Sequence, residues 1–267
     1  MPIDASLKEK GAITGVGETA YTRGSPRSVA GLYFEASLKA IDDAGLKPKD
    51  IDGIIAYGSM TVVGDIAQAT GALAPDDWAD VLRYLPDHKP SRVIGLSVGY
   101  RIPAQIMALA NQVMLAATPT LRAPTSVRQS DDVPEFVLAE PGDLLVAVAE
   151  ATRSLTSEIT DGTIAVVAPD SMVDGVSQAL EAAGIEHGRA TRTGLEMGVT
   201  VVPVSVVKGL ELDGVVVVEP SSIIAEEHQG LRALYVALTR STRRLTIVHA
   251  DELPAPMQVS SRPAPTP

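Results

Sequence analysis

Apolar and polar positions alternate in blocks along the carboxyl-terminal half of the chain, and these blocks predict alternating strands and helices. Short apolar runs rich in β-branched residues predict strands in EFVLAE, GTIAVVAP, VTVVPVSVV, GVVVVEP and RRLTIVHA. Between them, GDLLVAVAEATRSLTS, SMVDGVSQALEAAG and LRALYVALTR carry apolar residues at helical spacing. Continuous apolar strands that alternate with helices are typical of a parallel sheet covered by helices on both faces. The pattern therefore predicts an α/β fold.

The amino-terminal part shows a weaker form of this pattern. The run SVAGLYFEASLKAIDDAGL predicts a helix that stops at Gly45, with short strands in GAITGVGETAYT and KPKDIDGIIAYG on either side. Gly15 and Gly17 form only part of a phosphate-binding loop, so a simple turn is the favoured interpretation.

The middle of the chain is less regular. TVVGDIAQAT predicts a strand followed by polar residues, and DDWADVLRYL predicts a short helix with Asp76 and Asp77 as its caps. PSRVIGLSVGYRIPAQIMALANQVM predicts a strand and then a helix opened by Pro103. Residues 118–134 predict a loop, and residues 251–267, which are rich in proline and serine, predict a disordered tail.

Composition limits the chemistry that the chain can perform. Hydrophobic residues make up 45% of its 267 positions, which is enough to bury a core. The absence of cysteine excludes disulfides, thiolate metal sites and a cysteine nucleophile, and the four histidines lack the spacing of a zinc site. No apolar run approaches the roughly 20 residues that span a bilayer, and no signal-peptide layout opens the sequence, so we expect a cytoplasmic protein without a membrane partner. The net charge of −11 argues against broad adhesion to nucleic acid or anionic membrane.

Polar side chains next to the predicted strands are the candidate site residues. Ligands of parallel α/β sheets bind where the carboxyl ends of the strands meet. Arg240 differs from the other candidates, because it ends a helix and precedes a strand. Simpler interpretations exist: Arg101 in a surface ion pair, Glu211 as a solvated turn residue, and Arg240 as a cap of its helix. The candidates that follow predicted strands are Asp65, Gln68, Arg101, Lys208 and Glu211.

Four segments, taken in chain order, resemble the motifs of one helicase family. TVVGDIAQAT, GYRIPAQIMALAN, VSVVKGLELDGVVVVEP and LYVALTRSTRRL resemble motifs III, IV, V and VI of UvrD/Rep-type superfamily 1 helicases. The sequences IAQAT and LRALYVALTRSTRRLTIVH are most similar to those of the actinobacterial HelD-like group, which associates with RNA polymerase. The resemblance covers residues 61–250. It implies a motif III/IV segment at 61–117, the loop at 118–134, and a RecA-like second motor domain at 135–250.

The resemblance implies a role in ATP chemistry for three of the candidates. In this family, ATP lies in the cleft between two RecA-like domains. The motif III glutamine, which matches Gln68, contacts the γ-phosphate. The arginines of motifs IV and VI, which match Arg101 and Arg240, stabilise charge on the transferred γ-phosphoryl group.

The other candidates would contact the rest of the nucleotide or support those that do. The motif V glutamate, which matches Glu211, is expected at the ribose hydroxyls. Gly209 would let the backbone approach the nucleotide closely. Lys208 stands beside it in motif V, and Asp65 precedes the glutamine in motif III, so both are included as candidates for cofactor binding.

Two parts of a helicase ATP site are missing from the sequence. There is no G-x-x-x-x-G-K-[ST] loop, and no acidic Walker B pair on an apolar strand precedes motif III. The family uses ATP with Mg²⁺, and the expected Mg²⁺ ligands are not present in this chain. Since an arginine has nothing to act on without the phosphate-binding loop and the metal, we expect no meaningful ATP hydrolysis by this chain alone.

Two classes of function stay open at this point. The first is an incomplete helicase-like ATP-binding module that acts only with a P-loop-containing helicase domain as its partner. The second is a non-enzymatic interaction protein that docks to RNA polymerase and uses the sheet as a scaffold. Nucleic-acid binding is expected to be weak or indirect in both, since aromatic residues make up only 3% of an acidic chain.

Residues 11–60 resemble a different family. GAITGVGETAYTRGSPRSVAGLYFEASLKAIDDAGLKPKDIDGIIAYGSM is similar to the amino-terminal segment of thiolase-like acetyl-CoA acetyltransferases. Thiolase chemistry requires a nucleophilic cysteine, so the chain would be at most a thiolase-like protein without its catalytic residue. The change of pattern near Ser59 and Met60 leads to the hypothesis that residues 1–60 are an incomplete thiolase-like segment fused to an unrelated one, naturally or by an assembly error.

Overall fold

The computed structural model describes residues 17–19, 29–48, 51, 62–71, 74–84, 91–130, 133–190 and 197–258. The chain divides into two compact units, Met1–Gly64 and Asp65–Pro267. The candidate site residues all belong to the second unit, and the segment that resembles thiolases belongs to the first.

Within the first unit, the structure describes the helix α1 (Val29–Asp43). The glycine predicted to stop this helix does so: Gly45 has a φ of 69°, a left-handed conformation that glycine adopts without strain. The amide of Leu46 donates to the carbonyl of Ile41 at 3.0 Å, which closes the last turn. The two strands predicted on either side of α1, and the join predicted near position 60, lie outside the described residues except for residues 17–19, 47, 48 and 51.

The second unit contains strands, α-helices and short 3₁₀ helices. None of the described helices is long and apolar enough to cross a membrane. The strands are β1 (Val98–Gly99), β2 (Thr125–Ser126), β3 (Glu135–Leu138), β4 (Ile164–Ala168), β5 (Gly188–Arg189), β6 (Val199–Pro203), β7 (Leu212–Val218) and β8 (Ser241–His249). The α-helices are α2 (Trp78–Leu82), α3 (Ala104–Ala117), α4 (Leu144–Glu158), α5 (Val173–Ala182), α6 (Pro220–Glu226) and α7 (Gly230–Leu238).

Six of the strands form one parallel sheet in the order β3-β8-β7-β4-β6-β5. Helices cover both of its faces. Val215 and Val217 of β7 pack in the apolar cluster that includes α3, α6 and α7, whereas Val216 and Val218 pack in the cluster that includes α4 and α5. All four side chains are fully buried, because successive residues of a strand point to opposite faces. The α/β fold class predicted from the sequence is confirmed.

The apolar run before α3 forms less strand than its sequence predicts. Only Val98–Gly99 is extended in a ladder, and it pairs in parallel with Thr125–Ser126, inside the segment predicted to be a loop. The side chains of the run are not covered: Leu96 is 89% exposed and Ile94 is 70% exposed. Among the described residues, the run pairs with the two-residue strand β2, so the ladder is limited to two residues.

Two other predicted strands end earlier than expected. The run VTVVPVSVV is a strand only as far as Pro203, and Val204–Val206 form a 3₁₀ helix. In TVVGDIAQAT, residues 62–65 are irregular and Ile66–Gln68 form a 3₁₀ helix. In the second case, the side chain of Asp65 caps the new helix by accepting from the amide of Ala67 at 3.0 Å, which favours a turn over a strand.

The segment predicted as a disordered tail is ordered over its described part. Ala255–Met257 form a 3₁₀ helix, and the side chain of Met257 is fully buried in the same apolar cluster as α3 and α7. The prediction was wrong for residues 251–258, because composition alone does not show that one methionine among the prolines has an apolar surface to pack against.

Candidate functional site

The predicted site residues gather at the amino ends of the central strands, not at their carboxyl ends. Glu211 immediately precedes β7 and Arg240 immediately precedes β8, and the amide of Leu212 donates to the carbonyl of Arg240 at 3.1 Å. The expectation of a position after a strand is therefore corrected for Glu211, whereas Arg240 precedes a strand as the sequence indicated. The reason is the early end of β6: after Pro203 the chain runs back along the sheet, so Glu211 lies at the start of the next parallel strand.

Arg240 lies at the centre of this group, and its side chain is almost completely buried. It is only 7% exposed. Its Nε donates to the carbonyl of Val236 at 3.0 Å, and its Nη1 donates to the carbonyl of Leu210 at 3.3 Å. Its Nη2 donates to the hydroxyl of Thr239 at 3.2 Å and to Oε1 of Gln68 at 3.1 Å. Since Val236 is in the last turn of α7, Arg240 does cap its helix, but most of its bonds go elsewhere.

The motif III segment reaches Arg240 through a glutamine that a carboxylate orients. Asp65 accepts a hydrogen bond from Nε2 of Gln68 at 2.7 Å, and this leaves Oε1 of the glutamine facing Arg240. Gln68 and Arg240 are 172 residues apart in sequence. The structure thus brings together the predicted residues of motif III and motif VI.

Arg101 and Glu211 form an ion pair at the open side of the group. Nη1 of Arg101 lies 2.5 Å from Oε1 of Glu211, and both side chains are about half exposed, at 50% and 58%. The interpretation of Arg101 as part of a surface pair therefore describes its contact correctly. Surface pairs stabilise a fold by about 0 to 1 kcal/mol, so the fold does not depend on this one.

Electrostatic effects show that these charges share one environment. Burial lowers the pKa of the Arg240 guanidinium, and the positive charge of Arg101 lowers it further. The negative charges of Asp65 and Glu211 act in the opposite direction on the pKa of Arg240. Two guanidinium groups that repel each other in this way would both be stabilised by an anion bound between them.

The two other motif V candidates lie in the turn before β7. Gly209 has a φ of 87°, and a Cβ at this position would meet no atom within 4 Å, so the backbone conformation and not crowding is the reason for glycine here. Lys208 is exposed and makes no hydrogen bond or ion pair with the other candidate residues of the described chain. Lys208 therefore lies in the turn beside the group but is not bonded to any of its residues.

Sequence reasoning missed two residues of α7. The hydroxyl of Tyr235 is in the field of the same charges: burial raises its pKa to about 12, the charge of Asp65 raises it as well, and that of Arg240 lowers it. Arg232 is buried at 2% exposure and contacts the segment that follows Gln68. The signal that could have identified Arg232 is a single charge within the otherwise apolar run LRALYVALT, which is buried on nearly every side.

The candidate site has anion-binding groups but no metal-binding group. Among the residues that the structure describes, no cluster of three or more histidine, cysteine, aspartate or glutamate side chains could hold a metal ion. The arginines and the glutamine offer planar N–H donors of the kind that bind phosphate oxygens. The arrangement is therefore suited to the recognition of a phosphate group.

The amino-terminal part of the chain is similar to parts of two curated proteins. A steroid side-chain-cleaving aldolase of Thermomonospora curvata is 46% identical over 50 residues, which cover 19% of this chain and 13% of that protein. A 17-hydroxy-3-oxo-4-pregnene-20-carboxyl-CoA lyase of Mycobacterium tuberculosis is 41% identical over 66 residues, 25% of this chain and 17% of that protein. The chain spans less than a fifth of the length of either protein, so these matches give only weak support to the thiolase-like resemblance.

The carboxyl-terminal part matches helicases. The crystal structure of the C-terminal domain of a possible DNA helicase from Lactobacillus plantarum WCFS1 is similar, with 21% identity and a TM-score of 0.48 over 60% of this chain and 92% of that one. Residues 198–248, which include β6, β7 and β8, match the family model of the UvrD-like helicase C-terminal domain. The matched residues include motifs V and VI, so the family model confirms the resemblance drawn from these two motifs.

Proposed function

We propose that the second unit forms half of a nucleoside triphosphate site and that a P-loop-containing helicase domain supplies the other half. In this proposal the chain binds the terminal phosphate of ATP only weakly by itself. It contributes to hydrolysis only when a partner provides the phosphate-binding loop. The proposal is supported by the UvrD-like match of residues 198–248 and by the group of side chains around Arg240.

The observation that carries this proposal is the environment of the Arg240 guanidinium. Its hydrogen-bond partners are two backbone carbonyls, one hydroxyl and one amide oxygen, and all four are neutral. A buried cation without a carboxylate in direct contact keeps its charge available for an anion. The backbone carbonyls also fix the plane of the guanidinium, so its orientation is set before a ligand binds.

The neighbouring residues take roles that follow from their contacts. Gln68 orients the guanidinium of Arg240, and after a rotation of its amide its Nε2–H would donate to the γ-phosphate. Arg101 would exchange its pair with Glu211 for a phosphate oxygen, which would free that glutamate for the ribose hydroxyls. Asp65 holds the glutamine in place.

Two residues of the turn before β7 complete the proposed half-site. Gly209 gives this turn a surface without a side chain, where a nucleotide can approach the backbone. Lys208, which is exposed in the same turn, would add positive charge near the phosphates. We propose that the ligands of Mg²⁺ come with the partner domain, since the described residues offer no carboxylate cluster.

An assay of phosphate release tests the half-site directly. With ATP and Mg²⁺, the purified chain is expected to release phosphate no faster than buffer does, because neither a phosphate-binding loop nor a metal site completes the pocket. The variant Arg240→Ala is the control and should give the same background rate. Robust turnover that disappears in Arg240→Ala would show a complete ATPase site and would overturn the proposal.

A second candidate function is a non-enzymatic interaction protein, and the exposed apolar run before α3 favours it. Leu96 and Tyr100 are 89% and 75% exposed, and Val98 is 61% exposed, in one continuous stretch. Apolar side chains that are exposed next to each other are typical of surfaces that a partner covers. In this case we propose RNA polymerase as the partner. Gel filtration of a mixture with purified RNA polymerase would then show a complex that Arg101→Ala, Glu211→Ala and Arg240→Ala leave intact.

A further inference from the structure

The guanidinium of Arg232 holds both ends of the segment that follows the motif III glutamine. Its Nη1 donates to the carbonyl of Ala69 at 3.3 Å and to the carbonyl of Pro75 at 2.9 Å. Its Nη2 lies 3.5 Å from Oδ1 of Asp76. Ala69 is the residue directly after Gln68, so this contact is made one residue away from the candidate site.

From these contacts we infer that Arg232 is a positioning residue, which fixes Gln68 in front of Arg240. The inference rests on the proposed function for its effect on nucleotide binding, but its effect on the segment is independent of any ligand. Arg232 acts through Gln68 and does not touch the proposed phosphate position itself.

The position of α7 explains how one short segment can do both tasks. Arg232 lies in the first turn of α7, and Arg240 lies two residues after the end of this helix. The segment around Gln68 packs against α7 through Ile66 and Ala67, which are 4% and 3% exposed. Arg232 therefore holds the backbone just after Gln68, and Arg240 donates a hydrogen bond to the side chain of Gln68.

The energetic state of Arg232 argues against a purely stabilising role. Its side chain is 3% exposed, whereas the carboxylate of Asp76 is 89% exposed and lies at the limit of an ion pair. Its buried Nε has no hydrogen-bond partner among the described residues. A buried charge with incomplete partners costs several kcal/mol of desolvation, so an apolar residue of similar size would often serve stability as well or better. An arginine at this position is explained by what its N–H groups hold.

The test compares Arg232→Met with Arg232→Lys, and uses Arg153→Met as the matched control. Arg153 also donates to a backbone carbonyl, that of Ala183 at 2.7 Å, but on the other face of the sheet. Three measurements apply to each variant: hydrogen exchange of the 62–71 amides, acrylamide quenching of Trp78, and the affinity for ATP. Trp78 is the single tryptophan of the chain and lies two residues after Asp76, so its fluorescence reports on this segment alone.

We expect Arg232→Met to increase amide exchange in residues 62–71 and quenching of Trp78 severalfold, at an unchanged urea midpoint of unfolding. ATP affinity should fall by the same factor as in Gln68→Ala, about tenfold for one hydrogen bond to a charged group. The ATP affinity of the double variant, Arg232→Met with Gln68→Ala, should fall no further, because both substitutions remove the same contribution of Gln68. Arg232→Lys, which keeps a donor for the two carbonyls, should restore most of the affinity, and Arg153→Met should match the wild type.

Two results would overturn the positioning role. The first is that both variants, Arg232→Met and Arg232→Lys, show the same exchange of the 62–71 amides and the same quenching of Trp78 as the wild type. The other is a double variant whose loss of affinity is the product of the two single losses. If the wild type itself shows no ATP binding, the proposed function fails, and the exchange and quenching measurements still decide whether Arg232 fixes the segment. If Arg232→Met does not fold, Arg232→Gln, which has a shorter uncharged amide in place of the guanidinium, replaces it. Increased exchange and quenching in this variant support the positioning role, and wild-type values overturn it.

Discussion

Replacing Arg240 with alanine is expected to lower the affinity of the chain for inorganic tripolyphosphate by about 100-fold or more. Arg240 presents a fixed guanidinium, and hydrogen bonds between charged groups contribute about 1.5 to 3 kcal/mol each. Two such bonds to a phosphate correspond to at least two factors of ten in the dissociation constant. The alanine variant also leaves the carbonyls of Leu210 and Val236 and the amide oxygen of Gln68 without their donor. Its stability should therefore fall by about 1 to 3 kcal/mol.

Isothermal titration calorimetry with tripolyphosphate measures this effect, and two variants serve as controls. Arg243→Ala removes a half-exposed arginine of β8, whose Nη1 lies 3.9 Å from Oδ1 of Asp213, and should leave the affinity unchanged. Arg240→Lys keeps a positive charge but not the planar pair of N–H groups, so its affinity should lie between those of the wild type and of the alanine variant. An alanine variant that binds as tightly as the wild type would show that the anion site is elsewhere.

The second large effect concerns stability: Leu234→Ala is expected to lower the free energy of unfolding by about 3 kcal/mol. Leu234 is fully buried in α7, within the apolar cluster that this helix forms with α3 and the sheet. Truncation of a buried leucine removes apolar contacts and leaves a cavity, at a cost of about 2 to 5 kcal/mol. Because α7 carries Arg232 and ends two residues before Arg240, a loss of packing here should also loosen the candidate site.

Urea denaturation followed by circular dichroism measures the change, with Leu115→Ala as the matched control. Leu115 is also a leucine in a helix of this layer, but it is 43% exposed, so the expected change is below about 1 kcal/mol. Equal effects of the two substitutions would mean that α7 does not form part of the core.

The sheet was predictable from the sequence because its central strands are apolar throughout. Every residue of β7 from Gly214 to Val218 is buried, and a run of four valines is typical of a strand that helices cover on both faces. Helices α4, α5 and α7 were predictable for the same reason, since each has one or more apolar faces at helical spacing. The two-residue edge strand β5 and the short helix α6 gave no such signal.

The candidate site was predictable as a set of residues but not as a geometry. Motif order pointed to Gln68, Arg101, Glu211 and Arg240, and the structure brings these four together. The sequence did not show that Glu211 lies at the amino end of a strand, because this depends on the end of β6 at Pro203 and the start of β7 at Leu212. The contacts of Arg232 were hidden as well, since they are made to backbone carbonyls, which every sequence contains.

Nuclear magnetic resonance of the arginine Nε–H groups, recorded during a titration with ATP, tests the central claim most directly. The account predicts that the signals of Arg101 and Arg240 shift together and saturate at the same ATP concentration, while those of Arg243 and Arg244 stay in place. An unchanged Arg240 signal, or equal shifts of all four arginines, would contradict a shared phosphate site at the start of β7 and β8.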